Sequence, residues 1–396
     1  MRIGIVEQIS YPSDRIARVR KVIRGLEDEG KEILVFCRHE DELPEYERYR
    51  KQISIFRFGK SVPKILSYPM PFNLLWLFWI YKMIGKQKID LIMVTGLRLL
   101  LPSIIAEKMK GIPIVLDMVE YFPGISNMVH AGWFKSKLKS FIATLTERAC
   151  WKFLDHTNVV AETQRQRLIE AKITPHKISL IYNSPILNET SLSDRLNIDF
   201  EPDCKELRLF YSGLIVQQRG LSLLLNAIHQ VHKLEKNNTS IKLIIVGDGD
   251  YLSTLKKQSI QLGIEKYVDF LGWQTPDTIP SLLKECHIGV MPHILSPFMH
   301  HTVPNKLFEY MLQGAPVLST AALPVQQIIE EEKCGIIISE DPLEVAHTLM
   351  KLKKEYHKLK EMGENGRKAV IQKYNWNRDG KLLNQVVNDL VTMKSK

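Results

Sequence analysis

The stretch "VPNKLFEYMLQGAPVLST", residues 303–320, decides how the chain is read. Pro304 stiffens its entry, and Leu307, Phe308 and Met311 recur at helical spacing. Gly314 stands where a helix stops, and Pro316 to Thr320 is an apolar run of strand length. A loop, a short helix and a buried strand in that order form one unit of a parallel sheet covered by helices. Lys306 and Glu309 lie three residues apart, so both belong to one face of the first helical turn.

Outward from this stretch the same alternation continues. Apolar runs such as "RIGIVEQ" (2–8), "EILVFCR" (32–38), "SIFRFG" (54–59), "DLIMVTG" (90–96) and "PIVLDM" (113–118) alternate with helical patterns in the first half. "LRLFYSG" (207–213), "KLIIVGDG" (242–249) and "IGVMPH" (288–293) do so in the second. The helix read over 13–29 carries Ile16, Val19, Ile23 and Leu26 as one apolar stripe. The turn-rich stretch 184–206 has no strand pattern and separates two sets of elements. The expected fold is α/β: two tandem doubly wound, Rossmann-like domains facing a central cleft. The first spans 1–190, a linker 191–206 and the second domain 207–375, with a final helix over 376–396 packing back on the first.

The 396 residues exceed one ordinary core, and 45% hydrophobic with 25% charged residues is a globular balance. Fifty-four bases against 44 acids give a net charge of +10, which favours anionic partners such as phosphates or acidic lipid headgroups. No nucleic-acid motif accompanies that charge, and no nucleic-acid partner is expected. The five cysteines are dispersed, with no CxxC and no zinc spacing, as in a reducing compartment. The chain opens directly on a strand, so no signal peptide is read. The apolar "NLLWLFWIYKMIG" (73–85) contains Lys82 and is shorter than the roughly 20 residues of a membrane span. Trp76, Phe78 and Trp79 are expected to cover the first sheet. The alternative is that this segment, with Lys82, Lys86 and Lys88, touches an anionic membrane.

A helix N-terminus carries unpaired N–H groups and partial positive charge, and Lys306 adds a full one. Glu309 would repel phosphate, yet it can accept two hydrogen bonds from vicinal hydroxyls. A diphosphate next to a ribose satisfies both residues. A plain surface ion pair is the commoner origin of such spacing. Two further features favour the nucleotide: "YSGLIVQQRG" (211–220) ends a strand and opens a helix at Arg219-Gly220, and "VGDGD" (246–250) places glycines after a buried strand. His300 and His301 are adjacent without further ligands at suitable spacing, so no metal is expected.

The segments 212–228, 243–255, 268–274, 304–320 and "YNWN" (374–377), with "VLDMVEYFPG" (115–124) and "IYNSPI" (181–186), together resemble the family 4 glycosyltransferases, retaining enzymes of the GT-B fold. The resemblance implies transfer of a hexose from a nucleotide-diphosphate donor to an acceptor hydroxyl without a metal or other cofactor, in cell-surface glycan biosynthesis. It further implies a cytoplasmic protein acting on a glycan or lipid-linked acceptor, with peripheral contact at the inner face of the cell membrane. A sugar-nucleotide epimerase and a non-catalytic partner subunit are the alternatives.

By the same resemblance Arg219 binds the donor diphosphate, Glu309 the ribose hydroxyls, and Trp273 and Gln274 lie beside the base. Gly213, Gly247, Gly249 and Asn305 complete the donor site. The first acid of the family's paired-glutamate motif is His301 here, and Leu214 stands where an arginine is usual. Lys306 is therefore expected to supply the second diphosphate contact. The catalytic-loop histidine is replaced by Val119, which leaves Asp117 and Glu120 as its polar groups. Residues 7–15 lack the usual glycines, and Arg15 is the expected substitute. Arg219, Lys306, Glu120 and Asp117 are the catalytic candidates.

Overall fold

The computed structural model describes residues 1–13, 17–40, 42–60, 62–67, 73–125, 133–187, 206–235 and 241–394. Arg15, Cys204 and nearly all of the expected linker lie outside these residues. The chain forms two compact units, Met1–Asn183 with Trp376–Lys396, and Ser184–Asn375.

Unit 1 contains strands β1 (Arg2–Glu7), β2 (Glu32–Arg38), β3 (Tyr46–Arg50), β4 (Ile53–Phe58), β5 (Leu91–Thr95), β6 (Ile114–Met118), β7 (His156–Val159) and β8 (Ile178–Leu180). Its helices are α1 (Ala17–Glu27), α2 (Lys64–Ser67), α3 (Leu74–Gln87), α4 (Leu100–Lys110), α5 (Phe122–Ile125), α6 (Trp133–Trp151) and α7 (Glu162–Glu170). The sheet runs β3-β4-β2-β1-β5-β6-β7-β8, and only β3 is antiparallel. Its inner strands are mostly buried, β5 and β6 along their whole length, which explains their continuous apolar sequence.

Over one face lie Trp76, Ile80 and Ile84 of α3, Ile104 of α4 and Trp151 of α6, packed on Phe36, Val94 and Leu116. Ile3, Ile5 and Val35 are buried but face away from that cluster, as a period of two requires. Right-handed connection puts α1 on this second side, with Val19, Val22, Ile23 and Leu26 buried. The last helix, which closes unit 1 at Trp376–Lys394, packs on α1. Lys31 Nζ donates to Asn384 Oδ1 at 2.6 Å, and Asn384 Nδ2 donates to the Gly25 carbonyl at 2.9 Å.

Unit 2 holds β9 (Leu207–Ser212), β10 (Ile241–Val246), β11 (Val268–Gly272), β12 (Ile288–Met291), β13 (Val317–Thr320) and β14 (Gly335–Ile338). They form one parallel sheet in the order β11-β10-β9-β12-β13-β14. Helices α8 (Leu221–Leu234), α9 (Leu252–Gln261), α10 (Ile279–Lys284), α11 (Asn305–Leu312) and α12 (Leu323–Glu332) connect the strands, α13 (Pro342–Lys354) and α14 (Tyr356–Gln372) follow β14, and the closing helix is α15. α8 supplies Leu224, Leu225, Ile228 and Val231 to a core completed by Leu209, Leu243 and Val290.

Strand β3 escapes the sequence reading because "YERYR" alternates exposed and half-buried positions and presents no fully buried face. The aromatic segment divides rather than covering the sheet as a whole. Trp76 is fully buried with its indole N–H on the Ser67 carbonyl at 3.0 Å, Trp79 lies edge-on to Phe36, and Phe78 is exposed. Among the described residues no helix is long and apolar enough to cross a membrane, and Cys37, Cys150, Cys286 and Cys334 are free and buried.

Arg18 ties unit 1 together. Its Nε and Nη2 donate to the two oxygens of Asp117 at 3.0 and 2.9 Å, and its Nη1 donates to the Tyr182 carbonyl at 2.7 Å. The guanidinium also lies 5.0 Å from the centre of the Trp376 ring. Both members of the ion pair are shut from solvent. Removing one partner leaves a buried charge uncompensated, so Asp117→Ala is expected to cost about 3 to 5 kcal/mol in a denaturant titration. A loss below about 1 kcal/mol would show that the pair does not hold the unit.

Candidate functional site

In an open parallel sheet the strand order reverses at one point, and the loops leaving the carboxyl ends there diverge to form a crevice. In unit 2 that point lies between β9 and β12. The loop after β9 begins at Gly213 and the loop after β12 at Pro292. Gly213 has φ +134°, and a Cβ there would stand 3.0 Å from Lys306 Nζ. Gly247, after β10, has φ +137°, and its Cβ would meet the Gly213 carbonyl oxygen at 2.0 Å. Two loops thus touch through backbone, and only glycine permits the contact.

Lys306 stands in the first turn of α11. The residue as a whole is half-buried, but its Nζ is shut from solvent and has no hydrogen-bond partner among the described residues. It lies 3.9 Å from the centre of the Tyr211 ring, a cation–π contact. Burial first, then the Arg219 charge, pushes its pKa well below the ordinary lysine value, against a smaller opposite effect of Glu309. Tyr211 holds the loop in turn, its hydroxyl donating to the Leu214 carbonyl at 2.8 Å.

Arg219 ends a 3-10 turn, and Gly220 then opens α8. Its Nη1 donates to Nε2 of His293 at 2.9 Å. That bond needs a neutral imidazole with its proton on Nδ1. Burial, then the charges of Lys306 and Arg219, holds the His293 pKa well below the usual range, so the imidazole stays neutral. His293 is fixed from behind, since Thr320 Oγ1 donates to its carbonyl at 2.6 Å. No described side chain caps α8 or α11, and both helices follow the switch-point strands β9 and β12, so their first-turn N–H groups lie at the carboxyl edge of the sheet.

The remaining expected donor residues lie around this centre. Asn305 opens α11, and Glu309 is exposed one turn on. His301 is half-buried in the 3-10 turn Met299–His301. Trp273 is exposed beyond β11, and Gln274 Nε2 donates to the Leu271 carbonyl at 3.0 Å. Asp248 Oδ1 accepts the Gly249 N–H at 2.7 Å, which shapes the turn after β10. The side chains brought together are Lys306, Arg219, Tyr211 and His293. The last two were not singled out from sequence: each sits at or just beyond a strand end, where it reads as an ordinary strand residue.

In unit 1 Asp117 lies at the end of β6 with both oxygens accepting from Arg18, which makes it part of the structural tie. Glu120, two residues past the strand, is exposed, yet protein crowding around its carboxyl raises its pKa against the opposing Arg98 charge. Glu7, also missed, ends β1 and is buried. Its pKa is pushed up to about 7 by burial, against hydrogen bonds from Thr95 and the Ile9 and Gln8 backbone. It sits where β1 and β5 meet, the point at which the strand order of unit 1 reverses.

Two doubly wound parallel sheets in one chain, the second with glycine-lined loops and two cations at its switch point, define a GT-B protein. The family model described as Glycosyltransferase Family 4 matches residues 17–184, and the model described as Glycosyl transferases group 1 matches 195–369. The chain belongs to the family 4 glycosyltransferases. It is 27% identical, over 56% of its own length, to an uncharacterized glycosyltransferase of Methanocaldococcus jannaschii, of which it spans 57%. A lipopolysaccharide core biosynthesis glycosyltransferase of Rhizobium meliloti is 27% identical over 37% of this chain and 38% of that one. Among solved structures, a sucrose-phosphate synthase from Thermosynechococcus elongatus superposes with a TM-score of 0.77 at 15% identity, covering 99% of this chain and 100% of that one. The Anabaena protein HepE in complex with UDP gives 0.71 at 17% identity, covering 98% and 100%.

A buried ammonium with lowered pKa binds fewer protons in the folded than in the unfolded chain. Stability therefore rises with pH between the lowered value and the ordinary one. Lys306→Met is expected to raise the denaturation midpoint at neutral pH, with the advantage shrinking as pH climbs toward about 10. A midpoint that falls at neutral pH would contradict the burial cost assigned to Lys306.

Proposed function

We propose that the protein is a retaining glycosyltransferase that moves a hexose from a nucleotide-diphosphate donor to an acceptor hydroxyl in cell-surface glycan synthesis. The observation that carries the reading is the convergence of Lys306 and Arg219 on the Gly213 loop, beside two uncapped helix starts. Two cations held close together without an acid between them repel each other, and a diphosphate relieves that repulsion. As the glycosidic bond breaks, negative charge grows on the leaving diphosphate. Arg219, Lys306 and the α11 N-terminus already stand where that charge develops. This positive charge takes the place of a divalent cation, so turnover is expected to survive EDTA.

Exposed Glu309 takes the ribose hydroxyls, with Trp273 and Gln274 beside the base. HepE, of the same fold, is described in complex with UDP, and the R. meliloti relative is named for lipopolysaccharide core biosynthesis. Both support a nucleotide donor and a glycan acceptor. Glu120 is the exposed carboxyl on the acceptor side, and the acceptor is presented at the cytoplasmic face of an anionic membrane.

Calorimetry with UDP, GDP, ADP and dTDP, each against its nucleoside, tests the donor site. Arg219→Ala is expected to weaken the preferred diphosphate at least about tenfold while leaving the nucleoside nearly unchanged. Equal losses for both would remove the diphosphate contact. Glu309→Ala is expected to cost about 1.5 to 3 kcal/mol in nucleoside and diphosphate binding alike, with little change in the denaturation midpoint. Unaltered affinity would sink the ribose assignment.

A further inference from the structure

Helices α3, α4 and α6 lie side by side over one face of the unit 1 sheet, α4 packing against both neighbours. The outward side of α6 is apolar. Leu138, Phe141, Ile142 and Leu145 recur at i, i+3, i+4 and i+7 and are 50%, 65%, 47% and 60% exposed. A stripe at that spacing is what a helix ordinarily buries. Here the buried side of α6 is a different one, carrying Glu147, Cys150 and Trp151.

Charge on this layer is equally one-sided. The three helices contain only two acids, Glu107 and Glu147, and both are buried. Glu107 pairs with Lys394 and Lys108, and Glu147 pairs with Arg167. Lys82, Lys86, Lys108, Lys110, Lys137 and Arg148 are all exposed. The layer therefore shows solvent an apolar stripe among bases, with no exposed acid of its own helices.

We propose that this three-helix face is the surface by which the protein docks on an anionic lipid bilayer, with the α6 stripe lying in the headgroup boundary. The proposal rests on the membrane-presented acceptor of the functional reading and names the surface that meets it. Complementarity selects the occupant. Bases around an inserted apolar face match anionic headgroups, each contributing near the surface. A second copy docked symmetrically would set two basic faces against each other. No described helix can cross a membrane, so α6 lies along the surface rather than spanning it. The stripe also differs from the aromatic segment of α3, whose Trp76 is core.

Sedimentation of the full chain with vesicles tests this, using phosphatidylcholine alone or mixed with phosphatidylglycerol, and no nucleotide. Binding to the anionic vesicles is expected, weakening with salt. The double variant Phe141→Ser/Leu145→Ser is expected to lower it about tenfold or more, because two large apolar side chains no longer insert. Ile260→Ser, at an equally exposed apolar position of unit 2, is expected to change nothing. Phe141→Trp gives a direct probe, with a blue shift of its added indole emission on anionic vesicles. A wild-type chain left in the supernatant, a double variant that binds like wild type, or an unshifted emission from the Phe141→Trp variant would each overturn the assignment. So would a lipid-free dimer that the double variant dissociates. Nucleotide calorimetry on the same preparation separates the two readings: bound nucleotide without vesicle binding removes only the docking surface.

Discussion

An ammonium group held away from water without a hydrogen-bond partner is among the more expensive arrangements a protein can keep. Unit 2 keeps one at Lys306, and the residues around it are arranged by that constraint. Residue 213 is a glycine whose missing side chain leaves room for Nζ. Tyr211 offers its ring face to the charge while its hydroxyl fastens the loop. Arg219 is turned aside onto His293, which burial first, and then the same two cations, keeps neutral. The crevice thus gathers helix-start N–H groups and positive charge at one edge of the unit 2 sheet.

Much of this fold was legible because parallel strands buried on both faces must be apolar throughout. "EILVFCR" and "DLIMVTG" could hardly be anything else, and β2 and β5 are found there. Where a strand lies at an edge the pattern thins, and β3 was unreadable for that reason. Helix faces are harder. In α3 apolar residues run all round, so periodicity could not say that Trp76 turns inward and Phe78 outward. In α6 the periodicity is clear, but a sequence cannot tell whether a stripe faces a sheet or solvent. In the crevice, the loop glycines and Lys306 were visible as motif. His293 was not, because its role is to hold a neighbour that lies 74 residues away in sequence.

The two units treat their strand-end polar groups differently. In unit 2 Arg219 and Lys306 have no acid bonded to them among the described residues. In unit 1 the polar groups are mostly satisfied internally: Asp117 by Arg18, and Glu7 by Thr95 and backbone N–H groups. Burial raises the Glu7 pKa to about 7, and its carboxyl accepts the Ile9 N–H at the start of the following loop.

The position of α15 has a consequence for how the protein is made. Trp376 lies under Arg18, and Asn384 bridges Lys31 to Gly25, so the closing helix completes the unit that contains the first residues of the chain. During synthesis from N- to C-terminus, the ribosome delivers all of unit 2 before it delivers that helix. The unit that begins first is finished last. Until that helix is delivered, the α1 surface around Gly25 lacks its partner. Truncating the chain at residue 375 would remove nothing from unit 2 and would leave unit 1 without its closing helix.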